Sequence, residues 1–198
     1  MKQRKSSRRR LGWILLIAGS IGALAALALL LDRLTLLENP DATLACDVNP
    51  FISCGEVMLT DQAAVFGFPN PIVGVLTFPV VVTIGAALLA GAQLRRWFWQ
   101  GLQLGVIFGM GFVLWLYYQT AFVIQVLCPY CIVVWVAMWP IFWYVTLYNL
   151  DSGYLGGQLA KSSTVRWLRR HHADVLVAVY LGLTLLLVYQ LRAPLGLG

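Results

Sequence analysis

Leu127-Cys128-Pro129-Tyr130-Cys131-Ile132 is a Cys-x-x-Cys set in strongly apolar sequence. Cysteines at i and i+3 lie on one face at the start of a helix, close enough to close a small disulfide ring. A helix N-terminus favours the thiolate, so such a pair opens and closes near neutral pH. Pro129 suits that position, because the first helical turn has no use for its missing N–H. Taken alone, the stretch also fits two inert membrane thiols. The two remaining cysteines, Cys46 and Cys54, sit together in a polar loop. One pair in the membrane and one in a loop point to an electron relay.

The 198 residues are 60% hydrophobic and only 11% charged. That excludes an ordinary soluble domain and points to an all-α polytopic membrane protein. The net charge of +6 does not mark a nucleic-acid binder. The basic residues flank apolar spans, where they set topology and meet anionic lipid headgroups. The four cysteines match no zinc ribbon or finger spacing.

Residues 1–10 (MKQRKSSRRR) hold six basic residues and no acidic one, and are expected to be a solvated cytoplasmic tail. The apolar run 11–31 exceeds a signal-peptide core of roughly 7–15 residues and is long enough to span, despite a cleavage-like Ala23-Leu24-Ala25. Residues 32–70 form a polar loop of 39 positions. Its Phe51, Ile52, Val57, Met58, Leu59, Val65 and Phe66 predict an ordered cap on the bilayer surface, with one short amphipathic helix over 53–65. Cys46 and Cys54 stand eight apart, so a bridge between them needs a bend, and Asn49-Pro50 supplies a turn signal. Further spans are expected over 71–92, 99–118, 126–148 and 174–191, with a tight turn at 119–125. The polar segment 150–173 ends in His171 and His172, read as a solvated pair beside the membrane.

With the N-terminus in the cytoplasm, the inner segments carry twelve of the fourteen basic residues, at 1–10, 95–96, 161, 166, 169 and 170; only Arg33 and Arg192 fall outside. This positive-inside pattern places all four cysteines on the outer, oxidising side, where disulfides persist.

Two such pairs pass a disulfide by thiolate attack and a mixed-disulfide intermediate. The inner pair then needs an electron acceptor or donor, and in an apolar bundle the natural one is a lipid-soluble quinone, held in an apolar pocket with a few placed polar groups. Asn70, at the entry of the second span, and Trp135, four residues beyond Cys131 and on its face, are the candidates to reach quinone carbonyls. Asn70 also reads as a helix N-cap before Pro71, and Trp135 as packing at the membrane interface.

At these residues the sequence resembles the vitamin K epoxide reductase family and its bacterial disulfide-forming homologues. The likeness rests on Cys46-Asp47-Val48 followed by Cys54, on Asn70-Pro71-Ile72-Val73-Gly74, and on Cys128-x-x-Cys131, and covers about residues 11–149. It implies a four-helix transmembrane bundle at 11–149 around a quinone (menaquinone, vitamin K or ubiquinone), capped by the outer loop, with neither metal nor flavin. It also implies that Cys131 meets the quinone ring with Cys128 as its redox partner, that Cys54 exchanges with Cys128, and that Cys46 exchanges with an external protein. Asn70 would bond one quinone carbonyl. Trp135 stands where the family often has tyrosine, and its indole donates one hydrogen bond. Thr60 matches a serine or threonine that recurs six residues after the second loop cysteine. The fifth span, in 174–198, is extra to the minimal bundle. Many bacterial members carry a fused thioredoxin-like domain; this chain stops at Gly198, so the thioredoxin-fold partner is expected to be a separate protein on the outer side of a bacterial cytoplasmic membrane. Because Cys54 must face Cys46 and then Cys128, the cap at 49–66 is expected to differ between redox states.

Three other readings compete. A DsbB-like oxidase would carry its Cys-x-x-Cys in the first outer loop, the reverse of the order here. A soft-metal-binding membrane protein or transporter would use the four cysteines as ligands, but no intramembrane Asp, Glu or His is apparent to line its pathway. A structural subunit would hold fixed disulfides that resist mild reductant.

Overall fold

The computed structural model describes residues 2–156 and 162–192. In hydrocarbon every backbone N–H and C=O must be satisfied within its own segment, so apolar spans become helices. Five helices are long and apolar enough to cross a membrane. They are α1 (Lys2–Glu38), α3 (Pro71–Leu89), α4 (Arg96–Gln119), α5 (Pro129–Asp151) and α7 (His172–Leu191). Two short helices lie between spans, α2 (Cys54–Met58) in the outer loop and α6 (Ser163–Arg170) before the last span. The basic segment is helical from Lys2 and runs without a break into the first span. Lys161, one of the inner charges, lies outside the described residues.

Helices α1 and α3 pack closely because glycines let their backbones meet. A Cβ on Gly85 would lie 2.6 Å from the Leu16 backbone nitrogen and 2.9 Å from the Gly12 carbonyl oxygen. Helix α5 packs on both α1 and α4, around a fully buried core of Leu15, Trp99, Ile141 and Val145. Asn149 is completely buried in the last turn of α5. Its amide donates to the Trp99 carbonyl at 3.1 Å and to Gln103 Oε1 at 2.9 Å, tying α5 to α4. Gln103 in turn donates to Thr146 Oγ1 at 3.0 Å.

Helix α7 is held at the edge by specific polar contacts. Pro140 has no N–H, so it leaves the Val136 carbonyl one turn earlier without a helical donor. The Tyr180 hydroxyl donates to that carbonyl at 2.7 Å. The Tyr117 hydroxyl of α4 donates to the Leu183 carbonyl of α7 at 2.5 Å. His172 does not sit as a merely solvated residue: its Nδ1 lies 2.9 Å from the Tyr144 hydroxyl, and Trp143 Nε1 donates to its carbonyl at 3.1 Å. The start of α7 docks on α5 through these contacts.

The outer loop differs from the single helix expected over 53–65. Helix α2 stops at Met58, and a separate 3-10 turn covers Asp61–Ala64. Thr60 makes the break: its backbone is extended, and its hydroxyl donates at 2.7 Å to the Val57 carbonyl, which a continuing helix would need for Asp61. The tight turn expected at 119–125 is a π-helical turn, Thr120–Ile124, closed by Gln125 in the left-handed region at φ 56°.

The α1–α3 contact gives a direct test. Gly85→Val forces the two backbones apart and should cost about 1–3 kcal/mol through overpacking. Thermal unfolding of the detergent-solubilised protein should show a lowered midpoint, while Gly101→Ala, whose Cβ would meet nothing within 4 Å, should leave the midpoint near that of the parent.

Candidate active site

The sulfurs are brought together by a short stretch of backbone pairing. Asn49 turns the chain, its Oδ1 accepting from the N–H groups of Phe51 and Ile52, both at 2.9 Å. The returning segment then runs beside Leu127: Leu127 N–H donates to the Phe51 carbonyl at 2.8 Å, and Ser53 N–H to the Leu127 carbonyl at 2.9 Å. The next residue on each side is a cysteine. Cys54 starts α2 and Cys128 caps α5, so the pairing sets them side by side, with Cys128 Sγ 3.5 Å from Cys54 Sγ. Cys54 is at the same time bridged to Cys46, with Cα atoms 5.7 Å apart. Cys128 and Cys131 are free thiols. Pro129 occupies the first turn of α5, and the Cys131 N–H points back at Cys128 Sγ from 3.4 Å. Three of the four cysteines are buried, and Cys131 is partly so.

Below the cysteines lies an apolar cavity of about 520 Å³ between α1, α3, α4 and α5. Cys131 forms part of its wall, with Trp135, Asn70 and Thr60. Trp135 is buried and meets the Tyr117 ring edge-on, centroids 5.4 Å apart. Asn70 precedes α3, but its side chain makes no cap. Its Nδ2 donates to the Gln62 carbonyl at 2.7 Å, and its Oδ1 accepts from Val65 N–H at 3.2 Å, so it staples the end of the outer loop over the cavity. An amide keeps a second N–H and a further acceptor position beyond those two bonds.

The profile of the vitamin K epoxide reductase family matches residues 13–146. That stretch takes in all four cysteines and every residue of the cavity wall named above. The chain belongs to the vitamin K epoxide reductase family. Among curated proteins, none matches it. Membership makes it a membrane redox enzyme, and the family's proteins use quinones. A quinone suits the cavity chemically, since the walls are mostly apolar and carry few polar groups, Asn70, Thr60 and Cys131 among them.

The structure places Cys46, Cys54, Cys128 and Cys131 in one cluster, and Asn70, Trp135 and Thr60 in the wall of one cavity. Two carboxylates beside the sulfurs were not singled out as functional. Asp32, expected in the loop, lies near the C-terminal end of α1, and its Oδ2 is 3.5 Å from Cys46 Sγ. Its signal in the sequence is an acidic residue closing an otherwise apolar span. Asp47 follows Cys46 directly. It accepts from Ser53 Oγ at 2.7 Å, from Gly55 N–H at 3.0 Å and from Leu44 N–H at 3.0 Å. These bonds clamp the two flanks of the Cys46–Cys54 bridge to each other.

Burial pushes the Asp47 carboxyl upward, but the hydrogen bonds it accepts from Gly55, Ser53, Leu44 and Cys54 outweigh that and hold it below its ordinary value. A carboxyl whose folded pKa is depressed stabilises the fold above its unfolded pKa, about 3.9 for Asp. That contribution is lost as pH falls through the folded value. Hydrogen exchange at the Leu44, Cys54 and Gly55 amides should therefore be slow above about pH 4 and quicken, beyond the intrinsic pH trend, as the medium becomes more acidic. In Asp47→Asn the same amides should exchange faster at neutral pH and lose this acid-dependent step.

Proposed function

We propose that this protein is a membrane thiol–disulfide oxidoreductase that couples quinone reduction to disulfide formation in a thioredoxin-fold partner. The observation that carries this is the 3.5 Å approach of the Cys128 sulfur to a Cys54 sulfur already bridged to Cys46. A thiolate at Cys128 attacks Cys54 Sγ; the Cys54–Cys128 bond forms, the Cys46–Cys54 bond breaks, and Cys46 leaves with the electron pair. In the direction that reduces quinone, the Cys54 thiolate attacks Cys128 of a Cys128–Cys131 disulfide and Cys131 leaves; Cys46 then attacks Cys54, Cys128 leaves, and the Cys46–Cys54 bridge re-forms. Cys131, in the cavity wall, resolves the Cys54–Cys128 bridge. A quinone held there would take up the two electrons and two protons that Cys128 and Cys131 give up as their disulfide forms. The chain's own part is to orient it: Asn70 offers its free amide positions, Trp135 an indole N–H and a ring face, and the apolar wall excludes water. The thioredoxin-fold partner exchanges with Cys46. The charge pattern supports a cytoplasmic N-terminus and an outer location for all four cysteines in a bacterial cytoplasmic membrane.

The relay is tested by removing the resolving thiol. Cys131→Ser should accumulate a Cys54–Cys128 bridge with Cys46 free, seen by non-reducing peptide mass spectrometry. A Cys131→Ser protein that holds only the Cys46–Cys54 bridge and still turns over quinone would refute it. Asn70→Ala should weaken quinone use by up to about tenfold, the loss of about one hydrogen bond, while leaving exchange with dithiols intact. Unchanged quinone kinetics would reduce Asn70 to its staple of the loop.

A metal-binding reading has one observation in its favour. Ligand atoms of Asp32, Cys46 and Cys54 lie within 4.8 Å of one another. Both sulfurs are spent in the bridge, so an ion would need the reduced protein. Stoichiometric metal in reduced, purified protein, lost on oxidation, would favour this second reading.

A further inference from the structure

The relay explains what the sulfurs do and leaves open where the proton at Cys46 goes. Asp32 stands against that sulfur, its Oδ2 3.5 Å from Cys46 Sγ. It is partly buried near the C-terminal end of α1. The neighbouring Arg33 does not neutralise it by a direct ion pair: its guanidinium donates to the Met58 carbonyl at 2.9 Å. The charged and titratable groups around Asp32 are Cys46 and Asp47 from the outer loop, Cys54 from α2 and Cys128 from α5. Apart from Arg33, all of these are acids. Among the described residues, the only salt bridge joins Arg169 and Asp151, in α6 and α5.

While the bridge is closed, Cys46 carries no charge and Asp32 tolerates its position. When Cys128 attacks Cys54, Cys46 is released as a thiolate directly against a carboxylate, with Asp47 close by. Two like charges at this distance do not both persist at a partly buried site, so the pair retains one proton. Resting on the relay reading, we propose that Asp32 is the proton-holding group of Cys46, sharing one proton with its sulfur whenever the outer bridge is open. The atoms balance: Cys128 thiol loses a proton and forms the bond to Cys54, while Cys46 gains a proton as its bond to Cys54 breaks. In the reverse direction the proton passes from the Cys46 thiol to the Asp32 carboxylate as Cys46 attacks Cys54. No net electron is gained or lost in the exchange. The consequence is directional. Cys46 is kept as a thiol and is a slow nucleophile at neutral pH, so the open state waits for reclosure onto Cys54 instead of reacting with stray electrophiles.

The test uses the full chain, reduced and anaerobic, pulsed briefly with iodoacetamide across pH 5 to 9.5, with each cysteine read separately by peptide mass spectrometry. Asp32→Asn keeps the shape and removes the charge and the proton-accepting oxygen pair. It should move the midpoint of Cys46 alkylation down by about one pH unit, about tenfold more thiolate at neutral pH, and Asp32→Glu should restore the parent profile. Re-formation of the Cys46–Cys54 bridge on removal of reductant reports that both variants fold. An unchanged Cys46 profile in a folded Asp32→Asn protein overturns the inference. The relay reports separately: in Cys131→Ser, a missing Cys54–Cys128 bridge overturns the relay, and with it the role given to Asp32 in exchange. A bridge that forms in Cys131→Ser/Asp32→Asn with the parent rate and pH dependence overturns the role of Asp32 alone.

Discussion

The pairing of Phe51 and Ser53 with the backbone of Leu127 is the constraint on which the site depends. Two hydrogen bonds fix the register between the outer loop and the entry to α5, and a cysteine follows immediately on each side. The approach of the Cys54 and Cys128 sulfurs is therefore set by backbone geometry, not by side-chain search. The same bonds satisfy backbone groups of a non-helical segment at the edge of the membrane, where unpaired ones are costly. A device that the bilayer already demands thus also sets the chemistry.

Around that pairing the bundle divides its work. The cysteine end is held by the loop, by Asp47 and by Asn70, each through side-chain bonds to backbone groups. At the other end of α4 and α5, Asn149 and Gln103 join the two helices through buried amides. Between them lies the apolar cavity, whose few polar wall residues include Cys131, Asn70, Gln62 and the threonines Thr60, Thr77 and Thr120. Orientation follows from where the few polar groups lie, with no need for a charged residue in the membrane.

Much of this was legible in the sequence, for identifiable reasons. Long apolar runs leave the chain no option but helices, so the spans were readable, with ends shifted by a few residues where caps rather than composition decide. The Cys-x-x-Cys at a helix start was readable because Pro129 marks the first turn. What stayed hidden depends on tertiary contact. Nothing local says that Leu127 pairs with Phe51 and Ser53, or that Tyr180 supplies the donor that Pro140 withholds from Val136. Thr60 was noticed for its spacing, but its hydroxyl ends α2, which the amphipathic pattern over 53–65 concealed. Asp32 was assigned to the loop because a charge is the usual end of a span; the helix continues past it and holds it against Cys46.

The geometry also changes what motion the relay requires. From spacing alone, Cys54 had to turn from Cys46 to Cys128, and the whole cap at 49–66 was expected to reorder. In the structure Cys54 is bonded to one sulfur and 3.5 Å from the other at once. Exchange then needs a change of bond, while Cys54 stays where the pairing with Leu127 holds it. In the proposed relay motion is instead required at Cys46, which is buried and would have to be exposed to meet another protein. Its segment has no such pairing with α5. Residues 44–48 are joined to α2 chiefly through the Asp47 side chain, and Val48 is largely exposed. The half of the cap paired with Leu127 holds Cys54 beside Cys128, and the half tied chiefly by Asp47 and the bridge carries Cys46, so in the proposed relay opening the Cys46–Cys54 bond removes the covalent tie between the two and frees Cys46 for exchange.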